Sequence, residues 1–461
     1  MSLIKLKTHS FQREVLKIAI PVTLQYVFQA FLSIINEFMV GQLGDISVAA
    51  NGITNKYESL FTITITAVSA AATILISQYY GKKDKKGVST SFFYTLSCGI
   101  LIMILFISLS LIFPYKIMKI YTKDIAASET AAEYLKIIAI SFIPYTFTSI
   151  TSAMFRSAEK SNYPMYSSII SIILNLVANY LLIFGNFGLP KLELKGCAIA
   201  IVLSRFIECF ILFILFFIWI KNNNGFITFK IKFQKSFIKK LIVILIPIIV
   251  TEFLWVLGNN VYMMIYGHLS DGVDAVSAMS ITEPIQLIST NLLIGISTAA
   301  SVIVGKKIGR NKYNEAYKAS KRLILTIFIG ALTISVIIIL ISDFYVNLFK
   351  VSDNIKLLTK DVLYAFSAFL LVKMLNMMIE NIIRTGGNTT YTLVIDSIGT
   401  WIIGIPLGIV AAFALDLHLV YVYIFISVEE IARSIAASII FKRKKWMQNI
   451  THYKNPKPVK S

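Results

Sequence analysis

Charge is scarce in this chain of 461 residues. Only 15% of it is charged and 56% is hydrophobic, whereas an ordinary soluble domain is about 25% charged. Mean hydropathy is +0.74. Cysteine is nearly missing: Cys98, Cys197 and Cys209 lie in apolar stretches, and an odd count so placed offers neither a disulfide framework nor a zinc-ligand spacing. The four histidines, His9, His268, His418 and His452, fall in terminal arms or short links. There is no His-Glu-x-x-His and no Gly-x-Ser-x-Gly, so an enzyme is not expected. The lack of a Gly-x-x-x-x-Gly-Lys-Ser/Thr loop removes the phosphate cradle an ATP-driven pump needs. No cofactor is called for.

What is abundant is long apolar runs. They fall at 14–39, 47–79, 91–115, 131–155, 163–186 and 195–220, then at 238–266, 275–305, 321–342, 357–383, 390–414 and 417–441. Each is long enough to cross a bilayer as a helix. Lipid offers no partners to backbone polar groups, so only helices or closed barrels can cross, and the lack of strand alternation selects helices. The run after the basic arm Met1 to Arg13 exceeds a signal-peptide core and reads as the first span.

Net charge is +20. In a soluble protein that would suggest nucleic acid, but here the cations sit in links between spans. Taking alternate links, one set holds about 30 Lys and Arg and the other about 8. Cytoplasmic loops carry the excess, so both termini are expected in the cytoplasm and the span number is even.

The chain repeats itself at a spacing of 228 residues. Arg156-Ser-Ala-Glu-Lys-Ser-Asn-Tyr163 falls on Arg384-Thr-Gly-Gly-Asn-Thr-Thr-Tyr391, Ser69-Ala-Ala-Ala-Thr73 on Ser297-Thr-Ala-Ala-Ser301, and Arg205 on Arg433. A spacing of 226 aligns Ile18-Ala-Ile-Pro21 with Ile244-Leu-Ile-Pro247, and Gly41-Gln-Leu43 with Gly267-His-Leu269. Six spans per half make the repeats parallel, related by an axis along the membrane normal. The expected fold is an all-α membrane protein of twelve transmembrane helices in two pseudo-symmetric six-helix bundles around a central cavity. Its parts are an arm at 1–13, an N-terminal lobe at 14–220, a basic linker at 221–237, a C-terminal lobe at 238–441 and a basic tail at 442–461.

Asn36-Glu-Phe-Met-Val-Gly-Gln-Leu-Gly44, Ala71-Ala-Thr-Ile-Leu-Ile-Ser-Gln-Tyr-Tyr-Gly81, Asn175-Leu-Val-Ala-Asn179 with Phe184-Gly185, Gly196-Cys-Ala-Ile-Ala200, Glu252, and the Pro406-bearing stretch after Asp396 form an ordered set along the chain. Together they resemble the multidrug and toxic compound extrusion (MATE) family of cation-coupled efflux transporters. The resemblance implies a first-lobe cation site, a possible sodium site, lined by Asn36, Asn175 and Asn179. Many relatives carry Asp where this chain has Asn36. Here the carboxylate is one place on, at Glu37, about 100° round the helix. Asn175 and Asn179 lie one turn apart and share a face.

Ionisable residues inside spans cost about 2.5–3.5 kcal/mol on insertion scales and should face the bundle interior with a partner. Glu252 stands out, five residues after Pro247 among apolar neighbours, with Tyr26 at its repeat position. Burial disfavours its charge, so it can alternate between a proton and a cationic substrate. Lys373, inside the tenth span, wants a carboxylate, and Glu252 or Asp396 could supply it. Asn376 is one turn on. Asp396 has Ser168 as its repeat equivalent, another broken symmetry. Arg205 and Arg433, equivalent and beside Glu208 and Glu429-Glu430, suggest a shared structural role in ion pairs. Lys56, Glu58 and Glu283 are candidates to line the outer half of the cavity. Arg156 and Arg384 end helices, where a cation suits the dipole.

The function expected is secondary antiport at the plasma membrane: a monomer in lipid exporting organic, cationic or amphipathic compounds against inward protons or sodium. The alternative is a flippase for lipid-linked sugars of a related superfamily, which would need a cationic cavity. No nucleic acid is expected as partner.

Overall fold

The computed structural model describes residues 2–222, 227–228, 234–270 and 272–451, with side chains from Phe11 onward. Lys230 and Lys232 of the predicted linker, and the tail beyond Thr451 with His452, lie outside the described residues. Among the described residues every regular element is helical.

The first half runs α1 (Ser2–Gly41), α2 (Asp45–Gly81), α3 (Lys85–Ile112), a short α4 (Pro114–Tyr121), α5 (Ile125–Ile140), α6 (Phe142–Ser157), α7 (Asn162–Phe184) and α8 (Glu193–Asn222). The second half runs α9 (Lys235–Gly267), α10 (Gly272–Gly309), α11 (Tyr313–Asn347), α12 (Asp353–Thr385), α13 (Thr389–Ser397), α14 (Ile405–Ile409) and α15 (Leu419–Lys442). π-helical turns at Ile398–Gly404 and Val410–Ala414 flank α14.

Ten of these helices, counting Thr389–Ala414 as one, are long and apolar enough to cross a bilayer. The pair α5 and α6, bent by 45° at Ser141, makes an eleventh. The remaining span is α15. Its 24 residues extend about 36 Å, but it carries Glu429, Glu430 and Arg433, which hydropathy alone penalises. Twelve spans thus stand as expected, with two departures. The fourth span is broken at Ser141, and the eleventh is wound partly as π-helix. The link after the third span also holds an unforeseen helix, α4.

Two compact units emerge, Ile20–Leu241 and Ile242–Ser461, the second also taking residues 1–19. Proline is at the boundary inside α1, at Pro21. In the first unit α2 packs on α3, α5 and α6, and α7 on α8. Its core centres on Phe61 stacked on Phe142 at 4.0 Å between ring centroids, with Tyr134, Leu135 and Met118 fully buried beside them. In the second unit α12 is central, against α10, α11 and α15, with Tyr266, Ala275, Val362 and Val422 in the core.

The outward faces are apolar. Phe210 on α8 is 65% exposed and Leu340 on α11 is 75% exposed. In water such a continuous apolar surface would drive association, and in a bilayer it meets acyl chains.

After α15 the chain turns back onto its own unit. Trp446 is fully buried and stacks on Phe441 at 5.6 Å, which stacks on Tyr317 at 5.0 Å. The Gln448 amide donates to Gly386 O at 3.1 Å. Asn449 Nδ2 donates to Ile308 O at 3.1 Å and to Asn311 Oδ1 at 2.6 Å. This strap ties together the ends of α10, α11, α12 and α15.

Candidate functional site

Among the described residues each unit holds a buried cluster of polar side chains joining several helices, and the two clusters differ in charge. In the first unit, Asn36 of α1 meets Asn175 and Asn179 of α7. Asn36 Nδ2 donates to Asn175 Oδ1 at 3.2 Å. Asn179 Nδ2 donates to Asn36 Oδ1 at 2.7 Å and to Asn175 Oδ1 at 3.0 Å. Asn175 Nδ2 donates to Ser204 Oγ at 3.1 Å. The one-turn spacing of Asn175 and Asn179 does place both amides on one face. Glu37 is exposed, outside this buried cluster.

Does this cluster suit sodium? Asn179 Oδ1 is buried without a protein partner, so one acceptor is open. The other two amide oxygens already accept from amides, and among the described residues no carboxylate bonds to the cluster to offset a cation's lost hydration. The donors present do not fit a desolvated sodium ion. They fit a neutral tie between α1, α7 and α8.

A second contact in this unit involves Arg205 of α8. It reaches Glu58 of α2 at 2.6 Å, donates to Ser141 Oγ at 2.8 Å, and lies 5.1 Å over the Tyr145 ring. The guanidinium therefore sits at the break of the fourth span and gives Glu58 its counter-charge. The pairing foreseen for Arg205 is real, but its partner is Glu58 and not the neighbouring Glu208.

The second unit is densely charged. Glu252 comes from α9, past the Pro247 position where the helix loses a hydrogen bond. Arg384, at the end of α12, holds Glu252 Oε1 at 3.2 Å and Asp396 Oδ2 at 3.2 Å, and its Nε donates to Thr392 Oγ1 at 3.1 Å. Arg433 of α15 reaches Glu429 at 3.5 Å, and Asp396 and Glu430 at 3.9 Å each. It also bonds Thr400 in the first π-helical turn. Tyr262 of α9 donates to Glu429 Oε2 at 2.5 Å, and Asn376 Nδ2 to Glu430 Oε2 at 3.1 Å. Glycine makes the approach possible. A Cβ at Gly399 would strike Arg433, and one at Gly404 would strike Tyr262 and Glu429.

Glu252 and Asp396 therefore belong to one constellation, as does Asn376 through Glu430. The expected partner of Glu252 is corrected. Lys373 forms no ion pair with Glu252 or Asp396 among the described residues, and the charge it influences is Glu429. Arg384 takes both carboxylates instead, because its long side chain reaches back from the helix end. A residue missed in the sequence is Glu380, one turn before Arg384, 7% exposed and with Oε1 unpartnered. Its repeat equivalent is Ser152, so the asymmetry that marked Glu252 and Asp396 marks it too.

Two cavities border the second unit. One of about 520 Å³ is lined by Asp361, Tyr364, His418 and Tyr421 and by none of the network residues. Another of about 410 Å³ runs past Val394, Ile398 and Gly399 to Arg433.

A profile of the MatE family matches residues 21–181 and 247–410, one stretch in each half. The chain belongs to the MatE family. Among its relatives, a probable multidrug resistance protein NorM from Thermotoga maritima is 22% identical over 94% of this chain and 93% of that protein. Multidrug and toxin extrusion protein 1 of Xenopus tropicalis is 24% identical over 94% of this chain and 74% of its own length. A crystal structure of MATE in complex with MaL6 superposes with a TM-score of 0.86 at 16% identity, covering 94% of this chain and 97% of that one. A MOP superfamily transporter from Pyrococcus furiosus, described as having a binding pocket of reverse polarity, gives 0.84 at 17% identity, over 94% and 96% of the two chains. This MatE protein is thus a multi-pass membrane transporter of the multidrug efflux type, acting on small molecules, and its spans and halves are those of that fold.

Proposed function

We propose that this transporter is a secondary antiporter that exports organic cations or amphipathic compounds in exchange for protons or sodium. It would work as a monomer in the plasma membrane with both termini in the cytoplasm. The observation that carries the reading is the charge of the second unit's network. Five acidic side chains, Glu252, Glu380, Asp396, Glu429 and Glu430, stand against two guanidiniums, Arg384 and Arg433, and the ammonium of Lys373. Excess negative charge in a low-dielectric interior attracts a cation or a proton. An anionic pyrophosphate cargo would be repelled, which weighs against the flippase alternative.

Glu252 is the exchange carboxylate. Its side chain keeps 33% of its surface exposed, more than Asp396 at 13%, and so is the acid a ligand meets first. Arg384 competes for it. A cation or proton arriving on Glu252 displaces the guanidinium, and departure lets it return. This makes occupancy by ligand and by Arg384 alternative states, which is the requirement for exchange. Asn376, Lys373 and Asp396 set the potential around it. The neutral amide cluster of the other unit is a tie, and the coupling charge lies in the second unit.

The test is efflux from energised vesicles, wild type against Glu252→Gln, with pH and sodium gradients imposed separately. Loss of gradient-driven efflux in the variant is expected. Normal transport by Glu252→Gln under both gradients would overturn the assignment.

A further inference from the structure

Displacing Arg384 from Glu252 raises a physical question: where does a buried guanidinium go? Asp396 cannot serve alone. It already meets Arg384 at 3.2 Å and Arg433 at 3.9 Å. Glu429 is committed to Tyr262 and Arg433, and Glu430 to Asn376 and Arg433. Glu380 is the carboxylate left over. It is 93% buried, its Oε1 has no hydrogen-bond partner, and it lies four residues before Arg384 on α12. Glu followed by a basic residue at i+4 is the favourable order for a helical ion pair. The charges acting on it come from three elements: Arg384 on its own helix, Asp396 on α13, and Glu430 and Arg433 on α15. On the α10 side, the same turn of α12 is bonded by Ser297 and Ser301 through Asn381.

We propose that Glu380 is the alternate partner of Arg384, receiving its guanidinium when an organic cation occupies Glu252. This rests on the reading of Glu252 given above and adds a positioning residue to it. A buried carboxylate with an open oxygen is expensive to keep, and a waiting acceptor one turn from a cation that must move gives that expense a purpose. The exchange needs only a side-chain swing about α12, since Arg384 keeps Asp396 in both states. Cation binding therefore does not strand a buried positive charge, and the affinity of Glu252 for its ligand depends on a residue that does not touch the ligand.

The experiment measures binding of tetraphenylphosphonium to the full-length purified transporter by calorimetry. Glu380→Gln is expected to weaken binding about tenfold, because Arg384 no longer has a place to go and stays on Glu252. Glu380→Asp, which keeps the charge, should recover most of that loss. In an Arg384→Gln background the effect of Glu380→Gln should vanish, since no guanidinium needs a new partner. Wild-type binding by Glu380→Gln, equal losses in the Gln and Asp variants, or an undiminished loss without Arg384 would each overturn the exchange. The two variants at Glu380 decide it even if Arg384→Gln does not fold. Glu252→Gln is run alongside. If it binds as wild type, the reading of Glu252 itself fails, whereas its loss of binding together with an unaffected Glu380→Gln sinks the exchange alone.

Discussion

Arg205 and Arg433 occupy one position of the internal repeat, yet they live in different surroundings. Arg205 has one carboxylate, Glu58, and a serine at a broken helix. Arg433 is set among Asp396, Glu429 and Glu430 and anchors a π-helical turn through Thr400. In each unit the arginine pins the span that departs from regular α-helix. Around that shared feature the polar content has diverged. One unit is closed by amides whose donors and acceptors nearly cancel, and the other holds more carboxylates than cations to pair with them. A duplicated scaffold makes the shared part read as architecture and the unshared part as chemistry.

Removing the two arginines should break this comparison most sharply. Arg433→Met takes the guanidinium from Glu429 and Glu430 while Asp396 keeps Arg384, and a loss of about 3–5 kcal/mol is expected from an uncompensated buried charge. Arg205→Met strands one and should cost less. Thermal unfolding in detergent checks this, and equal losses would mean the two units carry the same electrostatic load. Next, Glu252→Gln should lower gradient-driven efflux about tenfold or more, while Glu58→Gln in the other unit should leave the gradient dependence unchanged. Efflux from vesicles reads both. Third, Asn36→Asp restores a carboxylate to the amide cluster. Sodium should then stabilise the variant and not the wild type, by about 2.7 kcal/mol at a concentration 100 times the dissociation constant. A sodium-dependent melting shift already present in the wild type would show that the amides alone suffice. Smallest, Asn179→Ala removes two donated bonds and one unpartnered oxygen, and about 1 kcal/mol is expected, read by the same melt.

Much of the architecture was legible because lipid imposes length and periodicity. Apolar runs, alternating basic links and the 228-residue repeat yielded spans and halves without any contact information. Within the network, Glu252 and Asp396 were visible as charges in apolar surroundings with no counterpart in the other half. Their partner was not. Arg384 reads as a helix-end cation, and only the approach of α9 and α13 to the end of α12 turns it into the bridge between them. Lys373 is a charge in the middle of its span and so drew the pairing, but among the described residues it forms no ion pair, and its charge acts on Glu429. Pro144, three residues after the bend at Ser141, and Pro406, two residues after the first π-helical turn, each remove a helical bond at the distortion, so the local signal was proline, although it gave neither the break nor the π-helical winding in advance. Glu380 lies five residues from the end of α12, where a charge can reach the interface without a partner, so its position in the sequence did not mark it as buried.

The strap after α15 bears on how this transporter can be handled. Trp446 and Asn449 are buried against turns from three other helices, so residues 443–451 close one end of their bundle. Trimming the chain at Lys442 to simplify crystallisation would uncover the Gly386 and Asn311 turns and loosen four helix ends at once, and the shortened protein should be harder to keep folded in detergent than its short length of lost chain suggests.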